Sequence, residues 1–289
     1  MTTRIQSRFS YLNTNGITLH AAEAGPEDGP LVILLHGFPE FWFCWHRQIG
    51  PLADAGFRVL APDMRGYNLS DKPKRVEAYD LDELARDVIG LADALGREKF
   101  FLVGHDWGAI VGWWTAQHYP ERVSRFVSLS AGHPALWREG METNPGQRRK
   151  SRYVRMMQIP WLPEFGVRLQ KYRPLARAIQ STARKDTVKA DELARYHEAW
   201  SKEGALTGGV NYYRAIYRRR FPDYESYRIK PPTLLIWGVN DIYGEADLVA
   251  ASIGMCEQGK LVQLENATHW TLADEPERVN AMLVEFLKA

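Results

Sequence analysis

The residues 100–108, FFLVGHDWG, place one polar side chain in a sharp turn between a strand and a helix. The apolar run before Gly104 predicts a buried strand, and residues 108–118 predict a helix that ends before Pro120. Glycines two positions before and two positions after Asp106 permit such a turn, because they carry no side chain that would clash. The turn lifts the Asp106 side chain off the end of the sheet, which makes this carboxylate the candidate nucleophile.

Strand-like and helix-like segments alternate on both sides of this turn. A hairpin is predicted over 8–12 and 17–22, joined at Asn15 and Gly16. Apolar runs predict strands over 31–35, 57–63, 123–131, 233–238 and 261–266. Helical spacing predicts helices over 81–95 and 276–287. Strands that alternate with helices in this order imply a mostly parallel sheet flanked by helices on both faces. The fold class is therefore α/β.

The alternation stops between residues 133 and 230, which are helix-like and rich in Arg, Tyr and Met. We interpret this block as a helical cap inserted into a core domain formed by residues 1–132 and 231–289. Charge divides in a similar way, since residues 137–230 hold 21 basic and 10 acidic side chains and the rest of the chain holds 16 and 25. Solvated helix faces and ion pairs between cap and core are the simpler explanation. The alternative is that the cap attracts anionic substrates or a negatively charged surface.

The overall composition is that of an ordinary globular protein. The 289 residues are 45% hydrophobic and 25% charged, and a net charge of +2 gives no support to a nucleic-acid partner. Cys44 and Cys256 are the only cysteines, and no Cys/His cluster has the spacing of a zinc site, so neither a metal nor a cofactor is expected. The sequence has no secretory signal and no apolar run of roughly 18 residues, which predicts a cytoplasmic protein without a membrane span.

Two further polar groups follow strands of the predicted sheet. Asp241 comes just after the strand 233–238, and His269 comes just after the strand 261–266. Because the carboxyl ends of parallel strands meet at the same edge of a sheet, we expect both side chains to lie beside Asp106. A nucleophile, an acid and a histidine in this chain order are typical of one class of hydrolytic triad.

The loop after the strand 31–35 lies at the same edge. Its backbone N–H group at Phe38, together with that of Trp107, is a candidate for an oxyanion hole. His36 is interpreted as a residue that braces this loop, and the His105 side chain is expected to point away from the site. Neither histidine is assigned a catalytic role.

Five motifs in this order resemble those of the epoxide hydrolase branch of the α/β-hydrolases. They are HGFPEFWFCW at 36–45, DMRGYNLSDKP at 63–73, GHDWGA at 104–109, the aspartate after LLIWG, and ATHW at 267–270. The similarity extends over almost the whole chain. It implies an α/β-hydrolase fold with an inserted helical cap.

The resemblance also implies the reaction, which is the conversion of an epoxide to a vicinal diol. In that family two cap tyrosines hold the epoxide oxygen, and the matching positions are Tyr153 in YVRMMQIPWLPE and Tyr213 in NYYRA. Asp106 forms an alkyl ester with the substrate, because displacement at a saturated carbon leaves an ester that water can cleave. The His269–Asp241 pair then activates the water.

The expected reactants are a small apolar epoxide and water. Phe38, Trp107, Tyr153 and Tyr213 are expected to bind the substrate. Further aromatic and methionine side chains in or beside the motifs are candidates for the pocket wall, namely Trp42, Trp45, Met156, Met157 and Trp270. A homodimer is a further expectation.

Three alternatives remain open from the sequence. Haloalkane dehalogenases share an Asp followed by Trp, so Trp107 is compatible with them, although they often have a halide-binding Asn where Phe38 stands. Fluoroacetate dehalogenases, which act on a haloacid, are expected to carry Arg at the position of Trp107. A non-catalytic small-molecule receptor with the same fold is less favoured, since every triad and cap position is filled here.

Overall fold

The computed structural model describes residues 8–185, 187–221 and 227–289, and its centre is one eight-stranded sheet. The strands are β1 (Arg8–Thr14), β2 (Ile17–Ala24), β3 (Leu31–Leu35), β4 (Arg58–Pro62), β5 (Phe100–His105), β6 (Val123–Leu129), β7 (Thr233–Gly238) and β8 (Gly259–Leu264). They lie in the order β1-β2-β4-β3-β5-β6-β7-β8. The pairs β1–β2 and β2–β4 are antiparallel, and all other neighbours are parallel. The predicted α/β fold with a mostly parallel sheet is confirmed.

The hairpin of β1 and β2 turns at Asn15 and Gly16, as predicted. Both residues have positive φ, 43° at Asn15 and 75° at Gly16. A two-residue turn of this kind matches the right-handed twist of the strands that it joins, and Asn followed by Gly is the pair that adopts it most readily.

Helices cover both faces of the sheet and fill the interval between β6 and β7. The helices outside that interval are α1 (Ile49–Asp54), α2 (Leu81–Ala94), α3 (Trp107–His118), α11 (Ala246–Ile253), α12 (Thr271–Asp274) and α13 (Pro276–Lys288). The helices between β6 and β7 are α4 (Pro134–Thr143), α5 (Pro145–Lys150), α6 (Arg152–Met157), α7 (Leu162–Leu169), α8 (Arg173–Gln180), α9 (Ala190–Ser201) and α10 (Ala205–Arg218). Within the described ranges no helix combines the length and the apolar character that crossing a membrane requires.

Strand β3 shows why the predicted strands are continuously apolar. Its residues alternate between two hydrophobic clusters, since Ile33 packs with α2 and α3 on one face, and Leu34 packs with α1 and α13 on the other. Side chains of a strand point alternately to the two faces, so a strand that is buried on both sides needs apolar residues at every position.

A third hydrophobic cluster joins α8, α9 and α10 to the rest of the chain. Leu175, Trp200 and Val210 of these helices pack with Phe41 and Trp270, which lie in loops at the edge of the sheet where the parallel strands end. The indole N–H of Trp200 also donates to the Pro39 carbonyl at 2.5 Å. These contacts hold the helices over the carboxyl ends of β3 and β5.

Ion pairs also join the helices between β6 and β7 to the rest of the chain. Arg219 pairs with Asp82 at 3.1 Å, Arg218 pairs with Glu77 at 3.3 Å, and Arg47 reaches Glu192 on α9 at 2.7 Å. The first two pairs join basic residues of the helical block to acidic residues outside it, as the simpler explanation of the divided charge predicts, whereas the third pair has the opposite polarity.

Candidate active site

Asp106 sits in the sharp turn between β5 and α3 with a strained backbone, at φ 52° and ψ −118°. The glycines on either side of it are necessary at this point. A Cβ atom at Gly104 would overlap the Gly108 carbonyl, and one at Gly108 would overlap the Leu35 carbonyl of the neighbouring strand. The close approach of β3, β5 and α3 therefore directs the Asp106 carboxylate outward from the edge of the sheet.

Two groups face the Asp106 carboxylate. The Phe38 N–H donates to Oδ1 at 2.7 Å, and Nε2 of His269 lies 3.5 Å from Oδ2. Gly37 allows the Phe38 loop to approach, because a Cβ atom there would overlap the Asp106 side chain. The second predicted donor is the N–H group of Trp107, the first residue of α3, and its part in an oxyanion hole stays a prediction.

The His269 ring is held from its other side. Its Nδ1 lies 2.7 Å from Oδ2 of Asp241, whose side chain is fully buried and whose Oδ1 accepts the Tyr243 N–H at 2.6 Å. A carboxylate in this position fixes both the tautomer and the orientation of the imidazole, so that Nδ1 carries a proton and Nε2 faces the reacting groups. The structure thus brings Asp106, Asp241 and His269 together, as the strand order predicts.

Burial and charge act on this triad in opposite directions. Burial favours neutral His269, but the carboxylates of Asp241 and Asp106 outweigh it and raise the pKa of His269 well above its ordinary value. Burial likewise opposes ionisation of Asp106, yet the hydrogen bond and charge of His269, with the Phe38 N–H, hold the pKa of Asp106 below its ordinary value. Asp106 and His269 therefore each stabilise the charged form of the other.

Tyr153 on α6 and Tyr213 on α10 pack edge to face against each other and line the same cavity as Asp106. Their rings lie 5.7 Å apart at 79°, and the Tyr213 ring is perpendicular to that of Trp107 at 4.9 Å. Burial, together with the nearby Asp106 carboxylate, raises the pKa of both phenols above 10, so both hydroxyls stay protonated at neutral pH. The Phe38 ring also contacts Tyr213, at 5.5 Å.

Gln158 ties the two tyrosine-bearing helices together. Its side-chain amide donates to the Val154 carbonyl on α6 at 3.1 Å and to the Tyr213 carbonyl on α10 at 3.0 Å. One side chain thus fixes the separation of the two helices that carry Tyr153 and Tyr213.

Tyr243 is a site residue that sequence reasoning missed. Its ring lies 4.8 Å from the His269 ring and 5.9 Å from the Tyr153 ring. The buried amide of Gln147 holds this loop through the Tyr243 carbonyl at 2.9 Å. The only signal in the sequence is that Tyr243 follows the acid Asp241 by two positions.

The two histidines without a predicted catalytic role differ in the structure. His36 braces its loop as predicted, since Nε2 accepts the Met64 N–H at 2.9 Å and Nδ1 contacts the Gly37 carbonyl. His105 is fully buried and lines neither cavity of the site, but its Nε2 lies 2.9 Å from the His269 carbonyl and its Nδ1 lies 2.8 Å from Glu40. The buried Glu40–His105 pair therefore supports the backbone of the triad histidine.

Two cavities meet at the site. The larger, of about 520 Å³, lies against α6, α7 and α8, and the smaller, of about 60 Å³, lies beside the loop after β6 and α11. The residues common to both are Asp106, Tyr153, Tyr213, Tyr243 and His269. A molecule that spans both cavities thus places its middle against the carboxylate and the phenols.

The predicted pocket walls are partly right. Met156, Met157 and Trp270 line the larger cavity, together with Phe38. Trp42 and Trp45 are wrong as wall residues, because neither lines a cavity of the site and both pack in the cluster on the α1 and α13 face of the sheet. In the described ranges, no group of three or more acidic, histidine or cysteine side chains has the arrangement of a metal site.

Comparison with known proteins places the chain among relatives of one kind. A family described as alpha/beta hydrolase fold matches residues 30–276. AB hydrolase superfamily protein YfhM of Bacillus subtilis is 42% identical over 97% of this chain and 98% of its own length. Epoxide hydrolase A of Mycobacterium tuberculosis is 34% identical, with 96% of each chain covered. The crystal structure of a Bacillus megaterium epoxide hydrolase in complex with an inhibitor has a TM-score of 0.88, at 29% identity, and covers 97% of this chain and 100% of its own.

Proposed function

The chain belongs to the epoxide hydrolase branch of the α/β-hydrolase fold family, and we propose that it hydrolyses epoxides through a covalent ester on Asp106. The observation that supports the mechanism is that the Asp106 carboxylate and the phenols of Tyr153 and Tyr213 line the same two cavities. We divide the chain into a core of residues 1–132 and 231–289, which carries Asp106, and a cap of residues 133–230, which carries both tyrosines. Location in the cytoplasm and assembly as a homodimer stay predictions.

In the first step Oδ2 of Asp106 attacks an epoxide carbon and the carbon–oxygen bond of the ring breaks. The alkoxide that leaves is far too basic to depart unaided at neutral pH, so it requires a proton or a strong hydrogen bond. Tyr153 and Tyr213 supply these, because both phenols line the cavity beside Asp106 and keep their protons in this site. The ester carbonyl is then Oδ1, which the Phe38 N–H already holds.

In the second step a water molecule attacks Cγ of the Asp106 ester. Nε2 of His269 takes the proton of this water, and Asp241 stabilises the imidazolium that forms. Negative charge develops on Oδ1, where the Phe38 N–H stabilises it. Collapse of the tetrahedral intermediate breaks the bond between Cγ and the substrate oxygen, and the His269 imidazolium gives its proton to that oxygen as the diol leaves. The proton that remains on the Asp106 carboxyl group passes through solvent to the phenolate left by the first step, which restores the starting site.

Esterification prepares His269 to act as the base. In the free enzyme burial opposes the charged imidazole, but Asp241 and Asp106 both raise the pKa of His269. The ester removes the Asp106 charge, so the pKa of His269 falls at the moment when a neutral base is required.

The two cavities indicate the shape of the substrate. We infer an epoxide with one large apolar substituent in the cavity of about 520 Å³ and little or no substituent on the side of the 60 Å³ cavity. Met156, Met157 and Trp270 of the larger cavity offer an apolar surface to that substituent.

Haloalkane dehalogenation is the second candidate, because Trp107 follows the nucleophile. A halide leaves without a proton and requires only weak donors, so the paired phenols have no evident use in its release. The test is a paired assay of a terminal aryl epoxide and a primary haloalkane with the same aryl tail. We expect diol from the epoxide and no halide from the haloalkane, whereas halide release at a similar rate would support the dehalogenase.

With the aryl epoxide as substrate, we expect Tyr153→Phe and Tyr213→Phe each to slow ester formation by about 10²-fold and to leave the rate of ester hydrolysis unchanged. Rapid-quench measurement of the two steps separates these effects. Tyr217→Phe is the matched control, since this tyrosine is 40% exposed on α10 and lines neither cavity. Equal slowing of both steps by the two site variants would argue against proton donation to the alkoxide.

The rate of ester hydrolysis depends on pH through His269. Only the neutral imidazole accepts the proton of water, so below the pKa of His269 in the ester the rate falls about tenfold per pH unit. Burial lowers this pKa, and the Asp241 carboxylate raises it. Asp241→Asn removes the favourable carboxylate and lowers the pKa of His269, so the fall moves to lower pH. Single-turnover rates measured against pH for both proteins check this shift, and an unchanged midpoint in Asp241→Asn would contradict it.

A further inference from the structure

The surface formed by α6, α7, α8 and their connections, residues 152–180, is unusually apolar for an exposed region. Six of the twelve large apolar side chains that are exposed in the described part of the chain lie between residues 156 and 169, namely Met156, Ile159, Trp161, Leu162, Phe165 and Leu169. Trp161 is 70% exposed and Leu169 is 71% exposed. We call this region the α6–α8 surface.

Helix α7 presents its apolar stripe to solvent. Leu162, Phe165 and Leu169 recur at the spacing of one helical face, and all three are exposed. In a globular protein such a stripe normally packs against the core, whereas the side of α7 that packs here carries Pro163, Glu164 and the partly buried Val167. An exposed stripe of this kind marks a surface that binds another apolar phase.

The same surface is strongly cationic. Residues 152–180 contain six basic side chains, all of them exposed, and their single acidic residue is Glu164. Glu164 is buried and occupied by Arg214, with N–O distances of 2.7 and 3.1 Å. No exposed carboxylate from this stretch therefore offsets the charge of Arg155, Arg168 and Lys171.

The α6–α8 surface is continuous with the larger cavity. Met156 and Leu162 are exposed on the outside and also line the cavity wall, together with Gly166. On the other side of α7, Trp161, Phe165 and Arg168 border a surface groove of about 510 Å³. Apolar and cationic groups are thus interleaved around the wall of the substrate cavity.

We propose that the α6–α8 surface docks on anionic lipid bilayers. An apolar helix face rimmed by Arg and Lys lies in the plane of a bilayer interface, where the apolar side chains enter the acyl boundary and the cations meet lipid phosphates. Trp161 suits this position, since indole rings partition into the interface. A second copy of the chain fits less well, because a two-fold contact through this surface would oppose its own cations.

Docking brings the wall of the larger cavity against the lipid, so an apolar epoxide dissolved in the bilayer reaches Asp106 without crossing bulk water. This consequence rests on the proposed function, whereas the docking itself does not.

The test is co-sedimentation of the full-length protein with lipid vesicles. We expect binding to vesicles of equal phosphatidylcholine and phosphatidylserine, little binding to phosphatidylcholine alone, and loss of binding at high salt. Trp161→Ser, Phe165→Ser and Leu169→Ser together reduce binding at least about ten-fold. Arg168→Gln, Lys171→Gln and Arg173→Gln together reduce it by on the order of 100-fold.

Matched controls change similar residues elsewhere. Lys99→Gln, Lys260→Gln and Lys288→Gln remove the same charge from exposed positions of the core, and Phe9→Ser with Tyr11→Ser removes equally exposed aromatics from β1. Both control variants are expected to bind vesicles like the wild type. Turnover of a water-soluble epoxide, unchanged in every variant, shows that each one is folded.

Several results would overturn the docking. These are absence of binding to either vesicle, equal binding to both, and equal losses in the α6–α8 variants and the controls. A dimer that the serine variant dissociates, with no vesicle binding by the wild type, would assign the surface to a second copy instead. Vesicle binding by a protein that hydrolyses no epoxide would leave the docking intact and refute the proposed function alone.

Discussion

Replacing Asp106 with alanine abolishes diol formation, and we expect the rate to fall by a factor on the order of 10⁴ or more. The loss is large because, in the described part of the chain, no other carboxylate lines either cavity of the site. Asp241 is the nearest acid in the triad, but its side chain is fully buried and is committed to His269 and to the Tyr243 N–H. Steady-state diol production by wild type and variant, at equal protein concentration, measures the effect.

Asp106→Asn is the companion variant, because asparagine keeps the size and shape of the aspartate side chain and removes only its charge. Loss of activity in both variants, with melting temperatures near that of the wild type, attributes the effect to chemistry rather than to the fold. Single turnover of the wild type in isotopically labelled water adds a positive test. The first diol carries no label, because its new oxygen comes from Asp106, and label in that diol would instead indicate direct attack by water.

The triad was predictable from sequence because its members occupy strand ends. Asp106, Asp241 and His269 each follow a run of apolar residues, and parallel strands bring such ends to the same edge. An error of two residues in a strand boundary does no harm to this reasoning. The structure begins β8 at Gly259 and ends it at Leu264, against a predicted 261–266, and His269 still reaches Asp241.

Contacts between distant loops were not predictable in the same way. The Glu40–His105 pair joins residues 65 positions apart, and His105 meets the His269 carbonyl across 164 positions. Periodicity describes only neighbours along the chain, so it carries no signal for such contacts. The placement of Tyr243 between Tyr153 and His269 depends likewise on how α5 and α6 settle over the sheet.

Helix α7 illustrates a pattern whose meaning depends on tertiary structure. Leu162, Phe165 and Leu169 have the spacing that usually identifies a buried face. The opposite side of this helix carries the buried residues Pro163 and Glu164. The ion pair of Glu164 with Arg214 attaches that side to α10, so the apolar face points outward. The sequence reveals an amphipathic helix, and only the structure reveals which side solvent meets.

Replacing His269 with glutamine separates the two steps, and we expect the Asp106 ester to accumulate to one equivalent per protein. Attack by Asp106 does not require the histidine as a base, because a carboxylate with an ordinary pKa of about 4 is ionised at neutral pH. Hydrolysis does require it, and we expect that step to slow by about 10³-fold. Intact-protein mass spectrometry after brief mixing with the epoxide detects the ester as a gain of the substrate mass.

His118→Gln is the matched control, since this histidine lies at the end of α3 opposite to Asp106, packs on Trp114 and lines neither cavity. It is expected to turn over like the wild type and to accumulate no ester. Asp241→Asn accumulates ester to an intermediate level, because the imidazole remains but loses the partner that orients it. A His269→Gln protein that loses diol formation without gaining mass would show that the histidine is needed before the ester exists. The assignment of His269 to the second step would then be wrong. Accumulation of the ester would instead establish that Asp106 attacks first, that the tyrosines assist the departing oxygen, and that His269 acts only afterwards.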